Sequence, residues 1–309
     1  MNLRVNACTT AAACLLLIGT AAAQDASKPA GASSGAQVKA ERKDDLLQGS
    51  ILRSTKMIGT KVKNAKGEKI GEVDDLVIDK GAGVVAYGIL SFGGFLGIGE
   101  KLFAIPYGSL TRSGDDAVVV DLTKEQLESA PSFPKDAWPE FDRTYGTKVH
   151  EHYKATPYWQ SDKTPTEAKA LGKDALDAGN LRDHGMCRAS KAVGMDVDDT
   201  AGKSLGDVDD LVIDGASGRI VYAVLSFGGF LGMGDKLFAI PWHALKPSAK
   251  DVDKLILDVP REKLKDAPGF DKKSWPNMAD QRWGLDIHKY YGQEPYWDAK
   301  ERHEAKSGE

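Results

Sequence analysis

Residues 56–106 and 191–241 align without a gap at a constant offset of 135, and 29 of the 51 paired positions are identical. Asp74-Asp75-Leu76-Val77-Ile78-Asp79 returns as Asp209-Asp210-Leu211-Val212-Ile213-Asp214. Ser91-Phe92-Gly93-Gly94-Phe95-Leu96-Gly97 returns as Ser226-Phe227-Gly228-Gly229-Phe230-Leu231-Gly232, and Lys101-Leu102-Phe103-Ala104-Ile105-Pro106 as Lys236-Leu237-Phe238-Ala239-Ile240-Pro241. Beyond a two-residue insertion the correspondence continues through Trp138-Pro139 with Trp275-Pro276 and Pro157-Tyr158-Trp159 with Pro295-Tyr296-Trp297. This period is too long for one turn of a solenoid and long enough for an independent fold. Each copy is therefore expected to be a domain.

Within one copy, short β-favouring runs alternate with turn residues. Strands are expected at Thr60–Asn64, Lys69–Asp79, Val84–Ser91, Lys101–Ile105 and Ala117–Leu122, with turns at Asn64-Ala65-Lys66-Gly67 and Lys80-Gly81-Ala82-Gly83. Thr123 with Gln126 forms a capping box for a helix through Ser129, ended by Pro131, and Pro260 and Pro268 bracket its counterpart. Five short strands so spaced suit a small closed barrel, which removes exposed edges. The expected fold class is mainly β with short helices: two tandem small β-barrels, each followed by a helix and an aromatic-rich extension.

The N-terminus reads as an address. Arg4, the apolar run Ala11–Ile18 and Ala21-Ala22-Ala23 have the order of a secretory signal over residues 1–23. Residues 24–50, rich in Ala, Ser, Gly and Lys, read as a flexible tether. Domain 1 is expected over 51–159, a linker over 160–186 with a helix at Pro165–Ala178, domain 2 over 187–297 and a polar tail over 298–309. Cleavage after Ala23 leaves a single cysteine, Cys187, so no internal disulfide can staple the fold. The charge balance of 41 Lys+Arg against 45 Asp+Glu lacks the basic excess of a nucleic-acid binder. No run of about 20 apolar residues follows the signal, so no integral span is expected in the mature chain.

The stretch "VKNAKGEKIGEVDDLVIDKGAGVVAYGILSFGGFLGIGEKLFAIP" and its second copy resemble the PRC-barrel domain, over about residues 51–130 and 186–267. That module occurs in the photosynthetic reaction-centre H subunit and in ribosome-maturation proteins. The resemblance implies a small all-β barrel that mediates protein contacts and has no common catalytic site. A reaction-centre-associated role is implied by family analogy only. This chain has a signal where the H subunit has a membrane anchor, and two barrels where it has one.

The glycine-rich segments Gly93–Gly99 and Gly228–Gly234 lack the Gly-Lys-Ser/Thr and the following helix that a phosphate loop needs. Their large apolar residues Phe95, Leu96, Phe230 and Leu231 need cover at a loop tip and form the candidate interaction surface. They cover their own barrel, pack on the other barrel as an internal pseudo-dimer, or meet a partner or second copy. Tyr158, Trp159, Tyr296 and Trp297 complete that surface; the alternative for them is folding back onto the barrel.

The acidic groups around Asp74, Asp75 and Asp79 and around Asp207, Asp209, Asp210 and Asp214 offer calcium-type oxygens without EF-hand order. They read as turn and ladder-end acceptors, and one Asp of each adjacent pair facing inward requires a donor. Asp196, Asp198 and Asp199 make the second unit the better metal candidate. His150-Glu151-His152 reads as a solvated helix face, and His243 as structural or surface. Cys187, aligned with Leu52, reads as a small buried residue. No catalytic residue, metal ligand or cofactor is assigned. The leading expectation is a non-catalytic protein-binding or scaffolding module of the bacterial cell envelope, periplasmic or secreted, with an unknown protein partner. The alternative is a metal- or small-ligand-sensing domain pair.

Overall fold

The structure of the protein, a computed structural model, describes residues 51–92, 101–113, 117–123, 126, 127, 129–160, 185–227, 236–295 and 297. All of them lie in one compact unit, Glu41–Glu309. The repeat sequences form two eight-stranded sheets with the same ladder order. In the first, β2 (Lys61–Lys63), β3 (Lys69–Asp79), β4 (Val84–Phe92) and β5 (Lys101–Pro106) form an antiparallel meander. β6 (Thr111–Ser113) and β7 (Ala117–Val119) extend it beyond β2, with β7 parallel to β2, and β8 (Ser132–Pro134) closes the other end on β5. In the second, β10 (Asp196–Asp199), β11 (Ser204–Asp214), β12 (Ile220–Phe227) and β13 (Lys236–Pro241) repeat the meander, flanked by β14 (Leu245–Pro247), β15 (Lys254–Leu257) and β16 (Gly269–Asp271).

The remaining strand of each sheet comes from the other repeat. β1 (Ile51–Arg53) pairs antiparallel with β11, Leu52 opposite Ile213. β9 (Met186–Arg188) pairs antiparallel with β3, Cys187 opposite Ile78. The reason lies in strand length. β3 has 11 residues, and β2 pairs only as far along its edge as Glu72, so its C-terminal half presents unpaired backbone groups. Buried backbone donors and acceptors require partners, and the opposite arm supplies them at Val77–Asp79.

The two sheets meet on a local two-fold axis. Val84 bridges Arg219, its own counterpart at offset 135. Val85 N–H donates to the Gly218 carbonyl at 2.7 Å and Ile220 N–H to the Gly83 carbonyl at 2.8 Å. Tyr107 Oη donates to the Gly215 carbonyl at 3.2 Å, and its counterpart Trp242 Nε1 to the Lys80 carbonyl at 3.3 Å. Both rings press on glycines at positive φ: a Cβ on Gly83 would lie 2.6 Å from Trp242, and one on Gly218 2.7 Å from Tyr107.

The mainly β class, the duplicated β regions and the short helices are what the chain forms. Among the described strands the ladders run from β6 to β8 and from β14 to β16 without returning. One expectation needs correction, that of a separate interior for each repeat. One apolar cluster runs through both repeats, from Leu52, Leu76 and Phe103 to Leu211, Tyr222 and Phe238. Exchange of the arms fuses the interiors, because Leu52 projects from repeat one into the hydrophobic side of β11. A second cluster, with Val77, Tyr87, Ile89 and Phe133, lies on the other side of the first sheet. The helix Arg143–Tyr153 covers it through Val149. β4 is buried along nearly its whole length because both of its faces are covered.

Candidate functional site

Two structures are built twice, once per repeat: the anchor of the exchanged arm, and the aromatic clasp on the helix that follows each sheet. The arm anchor begins with a β-bulge. In the β3–β4 register the pairing skips Asp74, and in β11–β12 it skips Asp209. The extra residue turns the two neighbouring carboxylates to different environments. Asp74 and Asp209 face outward and pair with Lys135 and Lys272, each at 2.7 Å. Asp75 and Asp210 face inward; Asp210 is fully buried.

Each inward carboxylate caps a short helix of the other repeat. The helix Ser54–Met57 follows β1 and has no side-chain cap of its own. Asp210 supplies it, accepting from Thr55 N–H at 3.1 Å, Thr55 Oγ1 at 2.5 Å and Ser54 Oγ at 2.8 Å. Arg53 Nε donates to the same carboxylate at 2.8 Å, and Leu211 N–H adds a further bond at 2.8 Å. Reciprocally, Asp75 accepts from the N–H and Oγ of Ser190, in the helix Ala189–Ala192 that follows β9, and from Leu76 N–H. A carboxylate at these N–H groups satisfies orphan donors and favours the helix dipole. The arm arginines are held again by aromatic faces: Arg53 lies 3.5 Å from the Trp275 ring centre and Arg188 4.6 Å from that of Trp138. The need of an inward Asp for a donor was readable from the sequence, but its source across the repeat was not. Extending the 135 offset upstream to Arg53/Arg188 and Thr55/Ser190 is the signal that points to it.

The clasp is built on the helices Arg143–Tyr153 and Gln281–Tyr291. Asp142 caps the first by accepting from Tyr145 N–H at 2.6 Å, and Asp280 the second by accepting from Arg282 N–H at 2.9 Å. The reading of 150–152 as a solvated face is corrected here. Helical spacing places His150 beside Gly146 and Val149 on the inner face, and only 2% of it is exposed. Its counterpart His288 is 1% exposed. His150 Nδ1 lies 2.8 Å from the Gly146 carbonyl, which can only accept, so Nδ1 bears the proton. Burial lowers the His150 pKa. Glu151 is exposed, and His152 Nε2 reaches the Gln126 carbonyl at 2.9 Å.

The Pro-Tyr-Trp segment folds back over this helix. His150 packs edge-on against Trp159 at 5.1 Å and against Tyr87 at 5.6 Å between ring centres. His288 repeats this with Trp297 and Tyr222, each at 5.6 Å. Glycine makes the approach possible. A Cβ on Gly146 would lie 2.7 Å from Tyr87 Oη and 3.0 Å from Trp159, and one on Gly284 2.6 Å from Trp297. Tyr158 Oη donates to Asp79 at 3.0 Å and touches Met186 of the exchanged arm. Burial and the Asp79 charge push that phenol well above its usual range.

Of the residues read as an interaction surface, Tyr158, Trp159 and Trp297 lie in these clasps. Phe95, Leu96, Phe230, Leu231 and Tyr296 lie outside the described residues, as does the linker helix expected at 165–178. The Thr123–Gln126 capping box forms as read: Gln126 Oε1 accepts from Thr123 N–H at 2.8 Å and Thr123 Oγ1 from Gln126 N–H at 3.2 Å. Cys187 is a half-buried free thiol packed on the core, and burial pushes its pKa up to about 12. His243 is exposed at the end of β13. Asp198 and Asp196 both meet Lys254, at 3.1 and 3.5 Å. Asp199 turns back to accept from Ala201 and Lys203 N–H.

The family model of the PRC-barrel domain matches residues 50–127 and 184–264, just over half of the chain. No curated protein matches the sequence. The two matched segments contain the duplicated meanders and both exchanged arms. The chain therefore belongs to the PRC-barrel family, with the domain present in two copies.

Proposed function

We propose that this chain is a non-catalytic protein-binding or scaffolding module of the bacterial cell envelope, exported by its N-terminal signal and acting in the periplasm or outside the cell. One observation carries the non-catalytic part: the groups best suited to chemistry are engaged in holding the molecule together. Asp75 and Asp210 cap helices in trans. His150 is bonded to a backbone carbonyl, and Cys187 is held as a thiol by burial. A nucleophile or general base needs an accessible atom and a pKa near the working pH. Export is supported by the order of charge, apolar run and small residues in the first 23 positions. Protein binding is supported by the sequence pairs Phe95-Leu96 and Phe230-Leu231, large apolar residues in glycine-rich segments that occur once in each repeat.

The test is photo-crosslinking in intact cells, with the probe placed at Phe95 or at Phe230. The expected result is one envelope protein captured from both positions, by a chain whose mature N-terminus is Gln24. That protein, purified, should bind the wild-type chain and lose binding to the Phe95→Ser/Phe230→Ser double variant. An uncleaved cytoplasmic chain, or crosslinks confined to the chain itself, would overturn the reading.

A further inference from the structure

The two clasps share a framework and differ in their lining. Between the Arg143–Tyr153 helix and the returning residues 157–160 of the first repeat lies a cleft of about 360 Å³. Arg143, Thr147, Glu151 and Lys154 follow one another at helical spacing along its helix wall, and Trp159 forms the opposite one. In the second repeat the corresponding residues are Gln281, Leu285, Lys289 and Gly292, around the same Pro295 and Trp297.

We propose that this cleft in the first repeat binds a small organic carboxylate with a flat apolar body. Three observations meet there. The Arg143 guanidinium lies 4.9 Å from the Trp159 ring centre. Stacking leaves its in-plane N–H fork for a carboxylate, and among the described residues Arg143 makes no ion pair with the chain's own acids. Lys154 is the one non-glycine residue at positive φ among those described, at 51°, where the second repeat has Gly292 at 66°. A lysine is strained at a helix stop that suits glycine, and it adds a second cation at the cleft. Finally, Trp159 Nε1 is buried with no acceptor among the described residues. Glu151, exposed at the rim, is the one acid in the lining, so the two cations leave a net positive site beside an aromatic wall. The volume accommodates a single aromatic acid.

The test uses the full chain and benzoate, with benzamide as its neutral isostere and acetate as the anion without a ring. Binding is read from the Trp159 indole N–H resonance. The second repeat supplies variants that the fold accommodates: Arg143→Gln places there the residue found at 281, and Lys154→Gly the residue found at 292. Benzoate should give a saturable shift that benzamide does not, and acetate a weaker one. Arg143→Gln should weaken benzoate about tenfold or more. Lys154→Gly should weaken benzoate while raising the melting temperature. Absence of a saturable shift, equal response to benzamide, or wild-type affinity in both variants would overturn the proposal. None of these results bears on the loop-mediated protein binding proposed above.

Discussion

Replacing Asp210 by alanine tests the trans-capping arrangement most directly. The carboxylate is fully buried and accepts five hydrogen bonds, four of them from Arg53, Ser54 and Thr55 of the other repeat. Alanine takes this acceptor from the Thr55 N–H and two hydroxyls, and leaves Leu211 N–H only the longer bond to Ser54 Oγ at 3.3 Å. Arg53 is about one-third exposed and can turn to water, so its share of the loss is discounted. Breaking a buried charged network costs about 3–5 kcal/mol, well below the sum of the separate bonds, because one relaxation relieves several donors. At about 2–4 °C per kcal/mol for a unit of this size, the melting temperature should fall by roughly 10 °C. Asp75→Ala should cost less, since Asp75 accepts from Ser190 and Leu76 alone among the described residues. Urea unfolding at neutral pH gives the free energies, and hydrogen exchange at Leu52 and Arg53 reports the arm itself. The decisive measurement is a double-mutant cycle with Ser54→Ala/Thr55→Ala. If the losses simply add, or if Asp210→Ala costs under about 1 kcal/mol while arm protection persists, the carboxylate does not hold the arm.

The repeats, produced as separate chains cut within 160–186, should co-purify one to one, and neither should unfold cooperatively as a monomer; sedimentation and denaturant titration decide this. Burial lowers the His150 pKa below the value of about 6.5 expected unfolded, so acid protonates the unfolded chain first. Stability is then full above that pH and declines as pH falls from it toward the folded pKa. His150→Phe should flatten this part of the urea-derived stability profile. Cys187, with its pKa pushed up to about 12, should react with iodoacetamide far more slowly than a free thiol at neutral pH, and at the free rate in denaturant. Gly146→Ala should destabilise by about 1–3 kcal/mol through overpacking against Tyr87 and Trp159, with a parallel change in tryptophan fluorescence.

The strands of each repeat were legible because their cues are local. Lys69–Asp79 runs between two turn sequences and forms a strand with those same bounds, and the Thr123–Gln126 box needs only residues three apart. The helix at 143–153 was less legible. Its stripe mixes glycine, histidine and tyrosine, and its inner face is apolar only because Tyr87 and Trp159 surround His150.

The amino-acid order alone determined the duplication, the short strands, their turns and the family, since each depends on neighbours along the chain or on comparison of one half with the other. Tertiary structure decided which repeat each arm completes. β1 is three residues long, and nothing within it distinguishes the edge of β3 from that of β11. The choice rests on a carboxylate 157 positions from Arg53 and on the Trp275 ring, groups brought within reach only when both sheets have formed around their two-fold axis.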